Sequence, residues 1–450
     1  MAKPENIHFV GIGGIGMSAL AQIHAMAGGR ATGSDRLFDR GENGDLKASL
    51  EALSIKLHPQ DGSGVTAETD LVVLSTAIED SNPEVASAKR LGVTLLHRSE
   101  LLARHVAAGR TIAVTGTSGK STVTAMVFEI LQAAGRDPSV ITGAGLLSLK
   151  ERGLYGNAWL GGSGLLVIEA DESDGSLVNY TPAVAVLLNL TKDHKEVPVM
   201  HEILRRFSGN ARTLIVNADD PNLADLRPAA TFGLDSGDLR PERLELSASG
   251  SRFSLGGAEF SLKIPGRYNV ENAVAAAAAC INEGVSPADC SRALASYKGV
   301  GRRFQQVGEA RGVSVFDDYA HNPAKVSAAL SAAGLKARRV LAVYQPHGFA
   351  PTRLLRKELI EAFAEGLRPG DMLWLPDIYY VGGTASKDVS SADITGALAG
   401  RGVRAFHVPK REDIIPQIAG AARPGDLVLV MGARDPGLPG FAADILKALG

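Results

Sequence analysis

The sequence predicts an α/β protein built as three units around largely parallel sheets. Three observations carry that reading. Short β-branched runs alternate with Ala/Leu-rich stretches of helical length for most of the 450 residues. Twice, at residues 11–16 and 116–121, a strand-like run ends in a glycine-rich turn and hands on to helix-forming residues. One segment, 232–262, breaks the alternation with short pieces that lack a helical period. The length itself exceeds one ordinary domain.

Taken in order, "IHFVGI", "LVVLST" and "GVTLLH" read as strands of a first domain, residues 1–108. "GRTIAVTG", "LLVIEAD", "AVAVLLNL" and "TLIVNADD" supply a second, 109–304, with 232–262 as an antiparallel β insertion. "GVSVFDDYA", "RRVLAVYQPH", "DMLWLPD", "VRAFHV" and "DLVLVMG" supply a third, 305–450. Hydrophobic residues make up 45% and charged residues 21%, ordinary values for a globular chain. A net charge of −2 leaves no basic field for nucleic acid or an anionic membrane, so an anionic ligand must be held locally. No stretch reaches the roughly 20 apolar residues of a membrane span. The start "MAKPENIHFVGIGG" lacks the pattern of a secretory signal. Cys280 and Cys290, the only cysteines, form no C-x-x-C, so a disulfide framework or zinc site is not expected and a reduced cytoplasmic setting is. Nothing in these residues reports an oligomeric state.

Gly11, Gly13 and Gly16 make G-x-G-x-x-G, and with Gly14 they form a tight turn that lets a diphosphate approach a helix N-terminus. Asp35 follows about where a ribose-binding acid belongs. Alone, this fits a nicotinamide-dependent oxidoreductase. The second loop argues otherwise. Gly116-Thr117-Ser118-Gly119-Lys120-Ser121-Thr122 places backbone N–H groups on phosphate oxygens, Lys120 on the β- and γ-phosphates and the Ser121 hydroxyl on Mg²⁺. "LLVIEADESDGSL" then puts four acids after a buried strand, where carboxylates could hold Mg²⁺ beside the phosphates. His194 follows a further apolar strand; a lone histidine there is either structural or a ligand. Asn269 and Asn272 would share a helix face or cap its start. Arg302 and Arg303 stand at the proposed border of the second and third domains, and Asp318 and His321 follow a strand of the third.

From here a resemblance becomes specific and spans essentially the whole chain. "GIGGIGMSALA", "GTSGKST", "IEADESD", Asp193-His194, "PGRYNVENAVAA", "GVGRRF", "DDYAHNP", "QPH", "DIY" and "DLVLVMGA" resemble, in order, the motifs of the Mur ligase family, most like its alanine-adding members. The resemblance implies a Rossmann-like N-terminal domain for a UDP-sugar, a central P-loop ATPase domain and a C-terminal Rossmann-like domain for the incoming amine. It implies ATP and Mg²⁺, UDP-N-acetylmuramate and an amino acid or peptide as partners, and amide formation through an acyl phosphate, with closure over three ligands. It selects Ser121, Glu169 and His194 as metal ligands, with Asp193 orienting His194, and leaves Asp171, Glu172 and Asp174 as polar loop or supporting groups. It suggests adenine contacts for Asn269 and Asn272, a phosphate contact for Arg302 or Arg303, and a ribose contact for Asp317 or Asp318. Gly11, Gly13, Gly14, Ile15, Gly16, Asp35 and Ser75 would then face the UDP-sugar, and His321 and His347 the amine, either of them a candidate base.

Departures from the family pattern cluster in the third domain. "QPHGFAPTR" has Gly348 and Pro351 where alanine-adding members have two arginines that receive the amino acid's carboxylate, while His347, Phe349 and Thr352 remain. Each such charged hydrogen bond is worth roughly 1.5–3 kcal/mol. Arg353 would substitute only after a shift of the loop. Asn322 replaces a second histidine, "MGARDPGLPG" around Arg434 replaces a glycine-rich ending, and Ser118 replaces a histidine of the phosphate loop. L-Alanine is the amine implied by resemblance, with a murein peptide or another amine as the alternative. A non-catalytic nucleotide-binding relative is the rival class, and Lys120, Ser121, Glu169 and His194 argue against it.

Overall fold

The computed structural model describes residues 5–172, 175–191, 196–380 and 386–450. In the first sheet β1 (Asn6–Val10), β2 (Arg30–Ser34), β3 (Lys56–His58), β4 (Leu71–Leu74) and β5 (Thr94–His97) lie in the order β3-β2-β1-β4-β5, all parallel. The second comprises β6 (Arg110–Thr115), β7 (Ser139–Ile141), β8 (Ala158–Trp159), β9 (Leu165–Glu169), β10 (Val184–Leu187), β11 (Thr213–Asn217) and β12 (Ala230–Phe232). Its order is β12-β11-β10-β6-β9-β7-β8, parallel except for β8 against β7. The expected β insertion is a three-stranded sheet of β13 (Glu242–Ser247), β14 (Gly250–Leu255) and β15 (Ala258–Leu262). A last sheet of β16 (Gln305–Ala310), β17 (Val313–Asp318), β18 (Arg339–Gln345), β19 (Met372–Leu375), β20 (Ala405–His407) and β21 (Asp426–Gly432) runs β16-β17-β21-β18-β19-β20. Only β16 is antiparallel to its neighbour there.

Among the described residues the chain forms two compact units. Residues 1–242, 254–260 and 271–300 make one, and residues 243–253, 261–270 and 301–450 the other. The first two sheets therefore belong to one unit, and one apolar cluster runs from Ile7, Phe9 and Leu20 to Ala113, Ile168 and Leu187. A buried amide joint adds direction to that packing. Gln22 Nε2 donates to Asn157 Oδ1 at 2.8 Å, and Asn157 Nδ2 donates to the Ile15 carbonyl and to Ser18 Oγ. Directional amide bonds of this kind favour one arrangement where apolar contact alone would tolerate sliding, although Gln22 Oε1 has no hydrogen-bond partner among the described residues.

In the second unit the helices divide between the two sheet faces. Pro323–Lys336, Phe349–Gly366 and Ser391–Ala399 bury Leu330, Phe363 and Ile394 on the face that shows Leu427, Leu429 and Met431 of β21. Ile414–Ala421 and Leu438–Leu449 bury Ile418 and Phe441 on the face that shows Val428 and Val430. The period-2 alternation of β21 is what lets one fully buried strand serve both layers. Among the described residues no helix is long and apolar enough to cross a membrane.

Candidate active site

β6 ends in the phosphate-type loop, and the helix Lys120–Ala133 starts at its last glycine. Gly116 sits at φ +134° and Gly119 at φ +91°, a region that L side chains rarely adopt. A Cβ at Gly116 would lie 2.9 Å from the Asn189 backbone N, and one at Gly119 2.5 Å from Asn272 Oδ1. The segment after β10 clamps this loop. Asn189 accepts from Ser118 N at 2.8 Å and returns a bond from Nδ2 to the Ser118 carbonyl, while Thr117 N donates to the Asn189 carbonyl. The Thr117 hydroxyl donates to the Thr191 carbonyl and accepts from Thr191 N. Ser121 and Thr122 are buried in the first helical turn. Ser118 Oγ is buried with no hydrogen-bond partner among the described residues, an orphaned donor inside an anion cradle.

Lys120 curls back across the loop. Its ammonium donates to the Gly116 carbonyl at 2.8 Å and to Glu172 Oε2 at 2.7 Å. Burial works against that charge, but the carboxylates of Glu172, Asp171 and Glu169 outweigh it and hold the lysine above its usual range. Burial also raises Glu172, with Lys120 opposing. Glu169 closes β9 beside β6, in register with Val114. Its Oε2 accepts from Gly143 N at 2.8 Å and from the Thr142 hydroxyl at 3.1 Å, and Oε1 accepts nothing among the described residues. A free carboxylate oxygen facing a hydroxyl-bearing loop suits a hard cation that keeps several waters. No group of three His, Cys, Asp or Glu side chains able to hold a metal occurs among the described residues. His194, Asp193 and Asp174 lie outside them.

The first glycine loop is arranged differently. Gly11 turns at φ +73°, and Gly14 caps the helix Ile15–Met26. Asp35, buried, accepts from Gly13 N at 2.9 Å through one oxygen and from Leu37 N at 2.8 Å through the other. Burial raises its carboxyl above the ordinary range, with both backbone N–H groups opposing. A Cβ on Gly13 would stand 2.7 Å from Asp35 Oδ2, so this glycine makes room for the carboxylate itself. These bonds put Asp35 to work on the loop and on the next helix. Ile15 stays exposed at the loop mouth. Ser75 opens the turn after β4, accepting from Ile78 N, and Ile78 packs against Gly11. Arg98, which the sequence reading left unassigned, brings Nη1 to 3.2 Å from the place of a Gly16 Cβ.

In the second unit the predicted residues gather at the carboxyl ends of β17, β21 and β18. Arg302, at φ +58°, forks onto Asp317 with Nε at 3.0 Å and donates from Nη2 to the Gly432 carbonyl at 2.9 Å. Both Arg302 and Arg303 lie over the Tyr319 ring, at 5.0 and 4.8 Å from its centroid. Asp318 accepts from Phe304 N at 2.6 Å and Ala320 N at 2.7 Å, and burial pushes it up to about 6 despite Arg303. Both aspartates therefore brace the 302–304 turn. Asn269 likewise donates to the Pro265 carbonyl at 2.8 Å inside a buried turn, whereas Asn272 lies against the phosphate loop. His321 Nδ1 donates to the Tyr319 carbonyl at 2.9 Å. Its ring packs edge-on against His347 with centroids 5.6 Å apart. Asn322 caps the helix Pro323–Lys336 through Lys325 N. Gly348 holds φ +69°, ψ 134°, and Arg353 is paired with Asp388 and the Ser386 carbonyl.

A phosphate loop armed with lysine, a strand-end carboxylate beside it and a second glycine loop define a nucleotide-binding α/β enzyme. Comparison with known proteins gives the family. Residues 6–110 match the Mur ligase family catalytic domain, 114–280 the Mur ligase middle domain and 302–434 the Mur ligase glutamate ligase domain. The chain belongs to the Mur ligase family. It is 36% identical to the UDP-N-acetylmuramate–L-alanine ligase of Pelotomaculum thermopropionicum, covering 97% of this chain and 96% of that one. The same-named enzyme of an Arthrobacter species is 38% identical over 93% and 90% of the two chains. The crystal structure of UDP-N-acetylmuramate–alanine ligase from Thermotoga maritima superposes with a TM-score of 0.82 at 27% identity, covering 99% of each chain. A murein peptide ligase from Psychrobacter arcticus shares the fold, at 23% identity and a TM-score of 0.70 over 99% of each chain.

Proposed function

We propose that this chain is an ATP-dependent ligase that joins the carboxylate of UDP-N-acetylmuramate to L-alanine, in the cytoplasmic synthesis of peptidoglycan precursors. The observation that carries the reading is the phosphate loop, with Lys120 charged inside it and Glu169 at the neighbouring strand end. Residues 1–108 would take the UDP-sugar, 109–304 the ATP and 305–450 the amine. Backbone N–H groups of the loop and the Ser118 hydroxyl, which has no partner among the described residues, receive the phosphates. Ser121 and Glu169, with His194, would hold Mg²⁺, which neutralises phosphate charge when bound.

The sugar carboxylate attacks the γ-phosphorus, ADP departs, and an acyl phosphate remains. Lys120 stabilises the charge of the transferring group. The amine then attacks the activated carbonyl, and inorganic phosphate leaves from the tetrahedral intermediate. His321, its Nδ1 on the Tyr319 carbonyl and its ring between Tyr319 and His347, is the candidate base for the amine's proton. Arg302 or Arg303 would contact phosphate, as the family resemblance implies. The test is phosphate release from ATP with UDP-N-acetylmuramate and a panel of L-alanine, glycine, L-serine and L-alanyl-γ-D-glutamyl-diaminopimelate. L-Alanine is expected to give the highest kcat/KM. Release with the tripeptide alone would replace the biosynthetic reading with a recycling one, and no release with any amine would overturn both.

A further inference from the structure

We propose that Arg434 receives the α-carboxylate of the incoming amino acid and so sets the amine specificity of the second unit, an inference that rests on the ligase reading above. β21 lies between β17 and β18, pairing Asp318 with Met431 on one side and Gln345 with Gly432 on the other. The chain leaves β17 and β18 for helices on one face of the sheet, and leaves β21 for the helix Leu438–Leu449 on the other. Neighbouring parallel strands whose connections part to opposite faces open a crevice at their carboxyl ends, which is where such sheets bind ligands. Arg434 is the second residue beyond β21, at that crevice.

A chain of contacts ties it to the two histidines. Arg434 N donates to the Tyr319 hydroxyl at 3.4 Å, the Tyr319 ring meets His321 at 5.5 Å, and His321 meets His347 at 5.6 Å. Other cations of the second unit are engaged, Arg303 over the Tyr319 ring among them. Arg302 is bound to Asp317, Arg411 to Asp435, Arg353 to Asp388, and Lys387 lies over the rings of Phe349 and Tyr380. Arg434 is exposed, and its guanidinium has no carboxylate partner among the described residues. It also holds φ +62°, which disfavours any side chain and is retained here by an arginine. Residue 348 in the loop after β18 adopts φ +69°, ψ 134°, a conformation open to glycine, so an arginine side chain at that position would be strained. A guanidinium fork matches a carboxylate in plane and charge. An anchor for the carboxylate and a proton acceptor for the amine, carried by adjoining strand ends, fit a free α-amino acid and not a peptide whose first carboxylate is already an amide.

The experiment measures phosphate release from ATP and UDP-N-acetylmuramate with L-alanine and with L-alaninamide, which lacks the carboxylate. Arg434→Ala is expected to raise the KM for L-alanine about 10–100-fold, the loss of a charged hydrogen-bond pair, with the KM for ATP unchanged. The preference for L-alanine over L-alaninamide should collapse to within about threefold, and Arg434→Lys should restore part of it. Arg434→Gly relieves the backbone and should be at least as stable as the parent, yet show the same KM defect. A change in KM below about twofold, or an unmoved preference, overturns the inference while leaving the ligase reading intact. Absence of release with every amine in the unmodified chain overturns that reading, and this inference with it.

Discussion

At residues 11–16 and again at 116–121 a parallel strand turns through glycines into a helix, but the side chains that fill the two turns carry opposite charge. Asp35 takes the Gly13 N–H and occupies space that a Cβ would need. Lys120 spans the other loop and is held by the Gly116 carbonyl and Glu172. The same steric device therefore serves two electrostatic ends. In the first loop one backbone donor is spent on an internal carboxylate at the start of the helix. In the second, Thr117 N and Ser118 N are spent on Asn189, one hydroxyl has no partner among the described residues, and a cation is stored. A glycine fingerprint reports how closely a backbone can be approached; the charge beside it reports what approaches.

Removing the stored cation is the strongest way to break this comparison. Lys120→Ala leaves a glycine loop without its charge, the condition of the first loop, and should lower kcat by at least about 10²–10³-fold, as loss of a preorganised electrostatic group does. Steady-state phosphate release measures it, and turnover within tenfold of the parent would remove the loop from the ATP site. A smaller effect is expected from Gly13→Ala, which drives a methyl to 2.7 Å from Asp35 Oδ2. Overpacking of about 1–3 kcal/mol corresponds to a rise of roughly 10-fold or more in the KM for UDP-N-acetylmuramate, without change in that for ATP. Gly14→Ala is the control, since its Cβ would meet only the Gly11 carbonyl at 3.3 Å. Equal effects of the two changes would mean that Asp35 does not shape the loop.

The two loops also differ in how far the sequence disclosed them. Gly116 and Gly119 stand at backbone angles only glycine tolerates easily, so Gly-x-x-Gly-Lys-Ser was legible as geometry. Asn189, which clamps the loop most directly, was not, because its role comes from β10 lying beside β6 with Leu187 opposite Thr115. Glu172 was one of four acids in a row until Lys120 singled it out. Arg302 and Arg303 were indistinguishable as neighbours, and Asp317, fifteen positions on, separates them. Among strands, β2 and β3 escaped because "RATGS" and "KLH" carry little β-branched apolar content, and β16 because "QQVGEA" is an antiparallel edge with one partner. Backbone constraints are written locally; side-chain partnerships are written in the topology.

The helices that leave the two loops sharpen the contrast further, because one encloses the neutral amide of Gln22 and the other the ionisable carboxyl of the half-buried Glu129. Gln22 in the helix Ile15–Met26 is neutral and joined to Asn157. Glu129 in the helix Lys120–Ala133 accepts from Ser148 Oγ at 2.8 Å, and Lys298, itself paired with Glu151 at 3.4 Å, lies nearby. Burial raises Glu129 to about 7, against the Ser148 and Lys298 interactions that lower it. The folded state thus binds this proton more tightly than the unfolded chain, whose glutamate titrates near 4.5. Stability from this group is whole below about pH 4.5 and is lost as pH rises through about 7. Glu129→Gln, which gives the second helix the neutral amide of the first, should remove that slope. Between pH 6 and pH 8 the variant should gain about 1 kcal/mol over the parent, read from urea midpoints at the two pH values. An unchanged difference between them would mean that Glu129 is ionised throughout, and that the helix of the phosphate loop carries a buried charge after all.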